Sequence, residues 1–282
     1  MEATNTITIT YGDQAEAHVG MKKNGSMAES GLSIDEINEA EKLFLEKGGD
    51  VVNYDLKNLL EGCEIKEVCD LLENTEDAKF LVVYNGIDIL LNDGEEEQKE
   101  MMSHIDMYEE QNNLTHDRKY WDLRRKKVLN KNARGNLCFD YEGSEADFEG
   151  EHVGTIISFD DVPFTNKVRI KLPDYFGDKV KDMKAEGNYY YNKKKCGIGY
   201  HGDAERKITI GARLGATMPM CYQWFYKGKA VGNNLRIEIP SGAIYAMSQK
   251  AAGCDWKRRN ILTLRHSAGC EKYTKIVDSK KW

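Results

Sequence analysis

The sequence predicts an α+β protein in which a mostly helical N-terminal region precedes a β-sandwich or jelly roll. Amphipathic patterns of helical period dominate the first third of the chain. From about residue 150 the pattern changes to short runs rich in β-branched and aromatic residues, separated by Gly, Asn, Asp and Pro. With 282 residues, 40% of them hydrophobic, the chain can bury a sizeable core in one large domain or two modest ones.

The helical prediction begins at Ser33, which can cap a helix. Glu36 occupies the reciprocal position of a capping box, and apolar residues recur after it at helical spacing. A second amphipathic helix is predicted over about 55–72. The apolar run 80–84 predicts a buried strand, and the Asn85-Gly86 pair predicts a turn after it.

The later part of the chain reads as a series of strands joined by short turns. Many short strands at this spacing are typical of a sandwich or a jelly roll. The predicted strands are 154–159, 197–201, 208–214, 223–226, 235–239, 243–247 and 260–266.

The net charge of −7 conceals a strong asymmetry between the two parts of the chain. Residues 1–117 hold 28 acidic and 8 basic side chains, whereas residues 118–282 hold 19 acidic and 32 basic ones. The second part could therefore attract DNA or RNA, although the whole-chain pI is about 5.5. The change of sign also predicts the domain division: an acidic, mostly helical region over 1–117 and a jelly-roll domain over 118–282.

The compartment is predicted from what the sequence lacks. No run of about 18 apolar residues is present, which argues against a membrane span, and residues 1–20 contain no apolar leader. The seven cysteines are scattered without a CxxC pair, as expected for reduced thiols. We therefore expect an intracellular protein, cytoplasmic or nuclear.

A basic cluster follows the acidic region. Eight Lys and Arg side chains fall between Arg118 and Arg134, interleaved with Tyr120 and Trp121. The cluster could be the solvated basic face of a helix. It could equally be an element that contacts phosphates, since aromatic and basic side chains together are typical of nucleic-acid binding.

The chemically informative pair is His201 and Asp203, in the sequence Gly-Tyr-His-Gly-Asp. An imidazole and a carboxylate at i and i+2 project to one side of an extended chain. With a second histidine they would form a facial triad, which holds Fe(II) and leaves open positions for a cosubstrate and dioxygen. The pair alone is common by chance, but here it ends a predicted strand and precedes a run of others.

Several further segments match one family pattern. Residues 198–206 are similar to the segment H-x-D-x-E, and Asn188-Tyr-Tyr190 is similar to an Asn-x-Tyr pair. Residues 241–248 resemble a strand that leads to a distal histidine, and 258–265 resemble R-x-N-φ-T-φ-R with one extra residue. From about residue 186 onward, the chain thus resembles the Fe(II)/2-oxoglutarate-dependent oxygenases, most nearly their AlkB-like branch.

The resemblance implies a fold, a set of cofactors and several site residues. The fold would be a double-stranded β-helix (jelly roll), and the reaction would use Fe(II), 2-oxoglutarate and O2. Asn188 and Tyr190 would help to hold 2-oxoglutarate, and Glu205 would line the substrate pocket. His201 and Asp203 would be metal ligands.

The distal metal ligand is the point at which the chain departs from the family pattern. AlkB-like proteins carry a histidine shortly after the position of Trp256, where this chain has Lys257 and Arg258. The only histidine downstream of His201 is His266. We therefore expect His266 to complete the triad, with Lys275 or Lys272 as the basic clamp for 2-oxoglutarate.

The alternative keeps the family position of the clamp. Arg259 and Arg265 would then bind the distal carboxylate of 2-oxoglutarate, and the metal would have two protein ligands or an unusual third one. Neighbouring residues of a strand face opposite sides, so clamping by Arg265 and ligation by His266 largely exclude each other.

The substrate follows less directly from the sequence. The resemblance and the basic second part favour a methylated nucleic-acid base, which would be hydroxylated at the methyl carbon and would then lose formaldehyde. Such a base must be unpaired or flipped out of its stack. The alternatives are a hydroxylase of a protein side chain or small metabolite, and a catalytically degenerate protein that only binds.

Overall fold

Two β-sheets with helices packed around them form the main body of the computed structural model, which describes residues 3–94 and 101–276. The helices are α1 Ile34–Glu46, α2 Lys66–Leu72, α3 Gly86–Asn92, α4 His104–Asn112, α5 Pro163–Phe176, α6 Gln249–Ala252 and α7 Glu271–Thr274. The strands of the first half are β1 Thr6–Gly12, β2 Gln14–Glu16, β3 Lys23–Gly25, β4 Val51–Asp55, β5 Lys79–Val83, β6 Lys119–Asp122, β7 Lys127–Asn130 and β8 Gly135–Asp140. Those of the second half are β9 Ile156–Ser158, β10 Lys184–Tyr190, β11 Gly197–His201, β12 Thr209–Gly215, β13 Met218–Tyr226, β14 Lys229–Ile239, β15 Ile244–Met247 and β16 Thr263–Gly269.

The larger sheet has eight strands in the order β4-β5-β15-β12-β1-β10-β8-β9. Its pairs are antiparallel except for β8 and β9. The smaller sheet has four antiparallel strands in the order β11-β16-β13-β14. Two hairpins, β2–β3 and β6–β7, stand outside both sheets.

Helices α1, α3, α4 and α5 pack on one face of the eight-stranded sheet, and the four-stranded sheet packs on its other face. Ile7 and Ile9 of β1 belong to the apolar core shared with Phe44 of α1 and Leu172 of α5. On the other face, Phe80 of β5 and aromatic side chains of β13 and β15 form a second core between the sheets. Side chains alternate along β1, so the threonines between its isoleucines point away from the helices.

Strands from both sides of residue 117 pair in the eight-stranded sheet. β1 lies between β12 and β10, and β5 pairs with β15. The division predicted from the change of charge therefore does not follow the sheet, because backbone pairing joins residues far apart in sequence. The acidic region supplies five strands as well as helices α1 to α4.

The structure confirms the α+β class and the seven strands predicted in the later part of the chain, with shifted bounds. The capping box of α1 is also confirmed, since Ser33 and Glu36 each accept a hydrogen bond from the other's backbone N–H. The predicted helix over 55–72 is partly wrong: a 3-10 turn, Leu56–Leu60, precedes α2. Asn85 is followed by α3 rather than by a simple turn.

The basic cluster forms the hairpin β6–β7, so its interpretation as a helix face is wrong. Extended strands there follow from the β-forming side chains between Tyr120 and Leu129. None of the helices in the described ranges is both long and apolar enough to cross a membrane.

Candidate metal centre and cavity

His201, Asp203 and His266 converge on one point between the two sheets. The ligand atoms of the three side chains all lie within 4.8 Å of one another. Asp203 Oδ1 is 3.7 Å from His201 Nε2 and 3.6 Å from His266 Nε2. Two imidazoles and a carboxylate in this arrangement form the donor set of a facial triad.

Strand pairing brings the two histidines together. His201 ends β11 and lies directly opposite His266 of β16, so both side chains emerge on the same face of the smaller sheet. Their ring centroids are 4.5 Å apart. A register shift between Ile198 and His201 marks an irregularity in β11, and such bulges re-aim side chains near sites.

Hydrogen bonds orient the His201 ring and the Asp203 carboxylate. His201 Nδ1 lies 2.8 Å from the carbonyl oxygen of Gly199 and 3.1 Å from that of His266. An Nδ1–H that donates there leaves Nε2 with a free lone pair directed at the centre. On the other side, the hydroxyl of Thr209 donates to Asp203 Oδ2 at 2.9 Å.

The protonation states suit metal binding. Burial, followed by the nearby His266, lowers the pKa of His201 to about 4, so its imidazole is neutral near pH 7. Burial alone would raise the pKa of Asp203. The interaction with His266, helped by Arg206 and His201, outweighs burial and holds the pKa of this carboxyl well below its usual range. A neutral imidazole and an ionised carboxylate are the forms that bind a cation.

The centre lies in a cavity of about 450 Å³ that both sheets enclose. The eight-stranded sheet contributes Thr8, Thr10 and Arg213, and the four-stranded sheet contributes His201, His266 and Met220. Residues of the β2–β3 segment, which we define as residues 13–25, border the same cavity. A volume of this size is within the range of small-molecule sites.

Arg213 is a cavity residue that the sequence analysis missed. Only 1% of its surface is exposed, and neither Nε nor Nη1 has a hydrogen-bond partner. It lies opposite Thr8 in the pairing of β12 with β1, and the Thr8 hydroxyl is also buried without a partner. The available sequence signal was an arginine inside a strand that is otherwise apolar and small.

A second group of polar side chains borders the cavity. Arg206 is 3% exposed and forms ion pairs with Glu186 and Glu205, while its Nε and Nη1 have no partner. Burial, followed by the charge of Asp203, raises the pKa of Glu205. Asn188 donates to Glu186 and accepts from Arg134, the latter at 2.6 Å.

The sequence-predicted residues divide into two groups. Asn188, Tyr190 and Glu205 line the cavity together with the triad. Arg265 does not line it, because alternation along β16 directs its guanidinium onto the rings of Phe225 and Trp256.

The other proposed clamps also lie away from the cavity lining. Arg259 is exposed and donates to the carbonyl oxygen of Lys227 at 3.0 Å. Lys272 and Lys275 are exposed, in α7 and just after it. None of these three side chains lines the cavity.

Comparison with known proteins gives one informative relative. The chain is 38% identical over 274 residues to an uncharacterized protein of Acanthamoeba polyphaga mimivirus, and the match covers 97% of this chain and 99% of the viral one. The chain belongs to the same family as that protein. No protein-family model matches the sequence.

Proposed function

We propose that this chain is an Fe(II)/2-oxoglutarate-dependent dioxygenase that hydroxylates a C–H bond. The observation that carries the proposal is the convergence of His201, Asp203 and His266 within 4.8 Å at an enclosed cavity. Many ion pairs and buried histidines occur without a metal. This group differs because its donor atoms face one another and, among the described residues, no lysine or arginine pairs directly with the carboxylate.

The three residues fit Fe(II) by their chemistry. Imidazole nitrogen and carboxylate oxygen are the mixed donors of a non-haem iron triad. His266 directs Nε2 towards the centre, 3.6 Å from Asp203 Oδ1, and His201 presents Nε2 because its other nitrogen is engaged. His201, Asp203 and His266 would hold the metal.

Arg213 would hold the distal carboxylate of 2-oxoglutarate. A buried guanidinium without an anion costs several kcal/mol, so its unpaired nitrogens imply an anionic ligand. Its planar fork matches a carboxylate bidentately, and the Thr8 hydroxyl can donate to the same group. Tyr190 and Asn188 line the cavity in the same region. This assignment replaces Arg259, Arg265 and Lys275 as the proposed clamp.

The proposed reaction couples oxidation of a cosubstrate to oxidation of the substrate. Iron would supply the oxidising power when bound: 2-oxoglutarate loses carbon dioxide and takes up one atom of O2 to become succinate, and the other atom of O2 enters the substrate C–H bond. The side chains of the cavity would bind 2-oxoglutarate through its carboxylate and orient the substrate through hydrogen bonds. The enclosing sheets restrict water.

The substrate group that we propose is a methylated nucleic-acid base. Glu205, Arg206 and Asn188 present both acceptors and donors to the cavity, and the edge of a base offers the complementary groups. Oxidation of its methyl group gives a carbinol that releases formaldehyde. The base would have to be unpaired or flipped out to enter the cavity.

We also propose a double-stranded β-helix core formed by the two facing sheets. The triad comes from the smaller sheet and the loop after β11, while the proposed clamp comes from β12 of the larger sheet. In this core β1 lies between β12 and β10, so the N-terminal region is part of the site rather than an appendage.

The test is iron-dependent conversion of 2-oxoglutarate to succinate by the purified protein. Asp203→Ala is expected to reduce the rate at least tenfold, since it removes the only carboxylate of the triad. Asp174→Ala, on the helical side of the sheet, serves as the matched control because Asp174 is exposed and its ion pair among the described residues is with the half-buried Lys171. Equal turnover by wild type and Asp203→Ala would contradict the proposal.

Metal affinity tests the third ligand separately. His266→Ala is expected to lose Fe(II) binding, whereas Asp255→Ala and Arg259→Ala keep it, because neither of the latter side chains lines the cavity. Normal iron affinity in His266→Ala, with weakened 2-oxoglutarate binding in Arg259→Ala, would favour the alternative in which Arg259 and Arg265 clamp 2-oxoglutarate and His266 is not a ligand.

A further inference from the structure

The hairpin β6–β7 carries the most concentrated positive charge of the described surface near the cavity. Four consecutive side chains at its tip, Arg124, Arg125, Lys126 and Lys127, are exposed. Arg125 has a long ion pair of 4.0 Å with Asp122, and no described carboxylate pairs with the other three. Four adjacent charges on a two-stranded tip leave a local field that their own neighbours do not neutralise.

Contacts attach this hairpin to the β2–β3 segment, which borders the cavity. The Tyr120 ring stacks on His18 with centroids 3.7 Å apart, and Lys131 Nζ donates to the carbonyl oxygen of Ala17 at 3.0 Å. Leu123 packs so close to Gly20 that a Cβ there would lie 2.6 Å from its Cδ1. His18 and Gly20 line the cavity, so the hairpin stands at its entrance.

Burial of the charged base of the hairpin keeps this arrangement fixed. Lys131 is 6% exposed, and burial lowers its pKa to about 8. Arg134, three residues farther on, donates to Asn188 inside the cavity. The base of the hairpin therefore contacts the protein interior, while its basic tip is exposed to solvent.

Basic side chains continue along the same surface beyond the hairpin. The guanidinium of Arg118 lies 4.2 Å above the Tyr191 ring, and the Tyr191 hydroxyl donates to the carbonyl oxygen of Asn132. The exposed lysines 193–195 follow Tyr191 after one intervening residue, Asn192. An extended row of cations suits a polymer with regularly spaced negative charges better than a single anion.

We infer that the β6–β7 tip is a phosphate-binding surface that positions a nucleic-acid strand at the cavity entrance. The inference rests on the proposed function, and it adds which part of the chain holds the strand. Arg124 to Lys127 would contact backbone phosphates without reading sequence, and one base would reach the cavity past His18 and Gly20. Val19, 80% exposed at the same entrance, would contact the bases or sugars beside it.

A lipid surface is the competing partner of a basic, partly apolar tip. Only Val19 and Leu123 are large exposed apolar side chains at this entrance among the described residues. Stable docking to a bilayer needs a larger buried apolar area together with charge. The cavity behind the tip also provides a place for a base, which a headgroup-binding surface does not need.

The test measures binding of fluorescent single-stranded DNA and RNA oligonucleotides, about 20 nucleotides long, to the full-length protein. The hairpin variant replaces the four basic residues of the tip with neutral polar ones: Arg124→Gln, Arg125→Gln, Lys126→Asn and Lys127→Gln. Asn is used at residue 126 because its φ is positive, 49°. The control variant removes four charges from the helical side: Lys42→Gln, Lys47→Gln, Lys171→Gln and Lys181→Gln.

The hairpin variant is expected to bind at least tenfold more weakly near 0.1 M salt. Each lost phosphate contact removes about 0.7 from the log–log salt slope of a single strand, so a loss of two to four contacts lowers the slope by about 1.4 to 2.8. The control variant should keep both affinity and slope. Circular dichroism and unchanged melting would verify that the variant hairpin leaves the fold intact.

Unchanged oligonucleotide affinity in the hairpin variant, or an equal loss in the control variant, would overturn the inference. The inference would also be overturned if the hairpin variant lost binding to phosphatidylserine vesicles but kept its oligonucleotide affinity. Binding needs no turnover, so succinate formation without oligonucleotide reports separately on the oxygenase proposal. If the wild-type protein binds oligonucleotide through the tip but does not convert 2-oxoglutarate, only the oxygenase proposal is contradicted.

Discussion

Replacing Arg213 with methionine should change stability and 2-oxoglutarate affinity in opposite directions. The guanidinium is 1% exposed with two unpartnered nitrogens, so the ligand-free protein carries an uncompensated buried charge. Methionine has a similar length and no charge. Exchanging a poorly paired buried charge for an apolar side chain of similar volume is often neutral or stabilising by about 1–4 kcal/mol. The ligand-free variant is therefore expected to melt at the same or a higher temperature.

The same substitution should greatly weaken 2-oxoglutarate binding. Truncating one partner of a buried, hydrogen-bonded charge pair costs about 2–5 kcal/mol. At about 1.4 kcal/mol for each factor of ten, the dissociation constant should rise roughly 30-fold to several-thousand-fold. Arg265→Met is the matched control, because Arg265 does not line the cavity and its guanidinium lies over the rings of Phe225 and Trp256.

The assay is thermal unfolding with and without 2-oxoglutarate, under anaerobic conditions with Fe(II). Ligand at a hundred times its dissociation constant stabilises the native wild-type protein by about 2.7 kcal/mol. Wild type and Arg265→Met should show this shift, and Arg213→Met should not. A normal ligand-induced shift in Arg213→Met, or its loss in Arg265→Met, would refute the assignment of the clamp.

Two further predictions concern the backbone and pH. Gly202→Ala should destabilise the protein by about 1–3 kcal/mol and weaken Fe(II) binding, because the new Cβ would lie 2.0 Å from a backbone carbonyl oxygen. Gly199→Ala should be tolerated, because the nearest atom to its Cβ would be 4.0 Å away. Equal melting temperatures of the two variants would contradict this packing. Burial lowers the pKa of His116 to about 4, so the unfolded chain binds more protons and stability falls as the pH drops from about 6.5 towards 4. Between pH 7 and 5 His116 should contribute about 2 kcal/mol of this loss in urea unfolding. His116→Phe, which can still stack on Tyr189, should therefore lose about 2 kcal/mol less than wild type over this pH range; an identical loss in the two proteins would assign the effect to other groups.

The proximity of His201, Asp203 and His266 could be predicted from the sequence because its evidence is local. A His-x-Asp pair at the end of a strand and a single downstream histidine define the candidates, and alternation along a strand separates His266 from Arg265. The structure brings these residues together through the pairing of β11 with β16. The short strands were equally accessible, since each has its own composition and turn residues.

The cavity arginine that we propose as the clamp could not be predicted, because its evidence is non-local. Arg213 becomes a buried, unpaired charge only because β12 pairs with β1, about 200 residues earlier in the chain. Sequence similarity drew attention to Arg259 and Arg265, which follow the expected motif but face away from the cavity or lie outside it. The domain division failed to anticipate β1 for the same reason, since charge composition carries no information about strand order.

The hairpin shows how tertiary contacts decide between local alternatives. A run of charges between Arg118 and Arg134 fits an exposed helix or an exposed hairpin equally well by charge alone. The Tyr120–His18 stack and the Lys131–Ala17 hydrogen bond fix the strands against the β2–β3 segment. Those partners lie about 100 residues away in sequence, beyond the reach of periodicity.

The central claim is tested most directly by a crystal structure of the protein grown anaerobically with Fe(II) and 2-oxoglutarate. We predict anomalous scattering from iron between His201, Asp203 and His266, with the distal carboxylate of 2-oxoglutarate on Arg213. Iron bound elsewhere, an iron site without His266, or a cosubstrate carboxylate on Arg259 would contradict it.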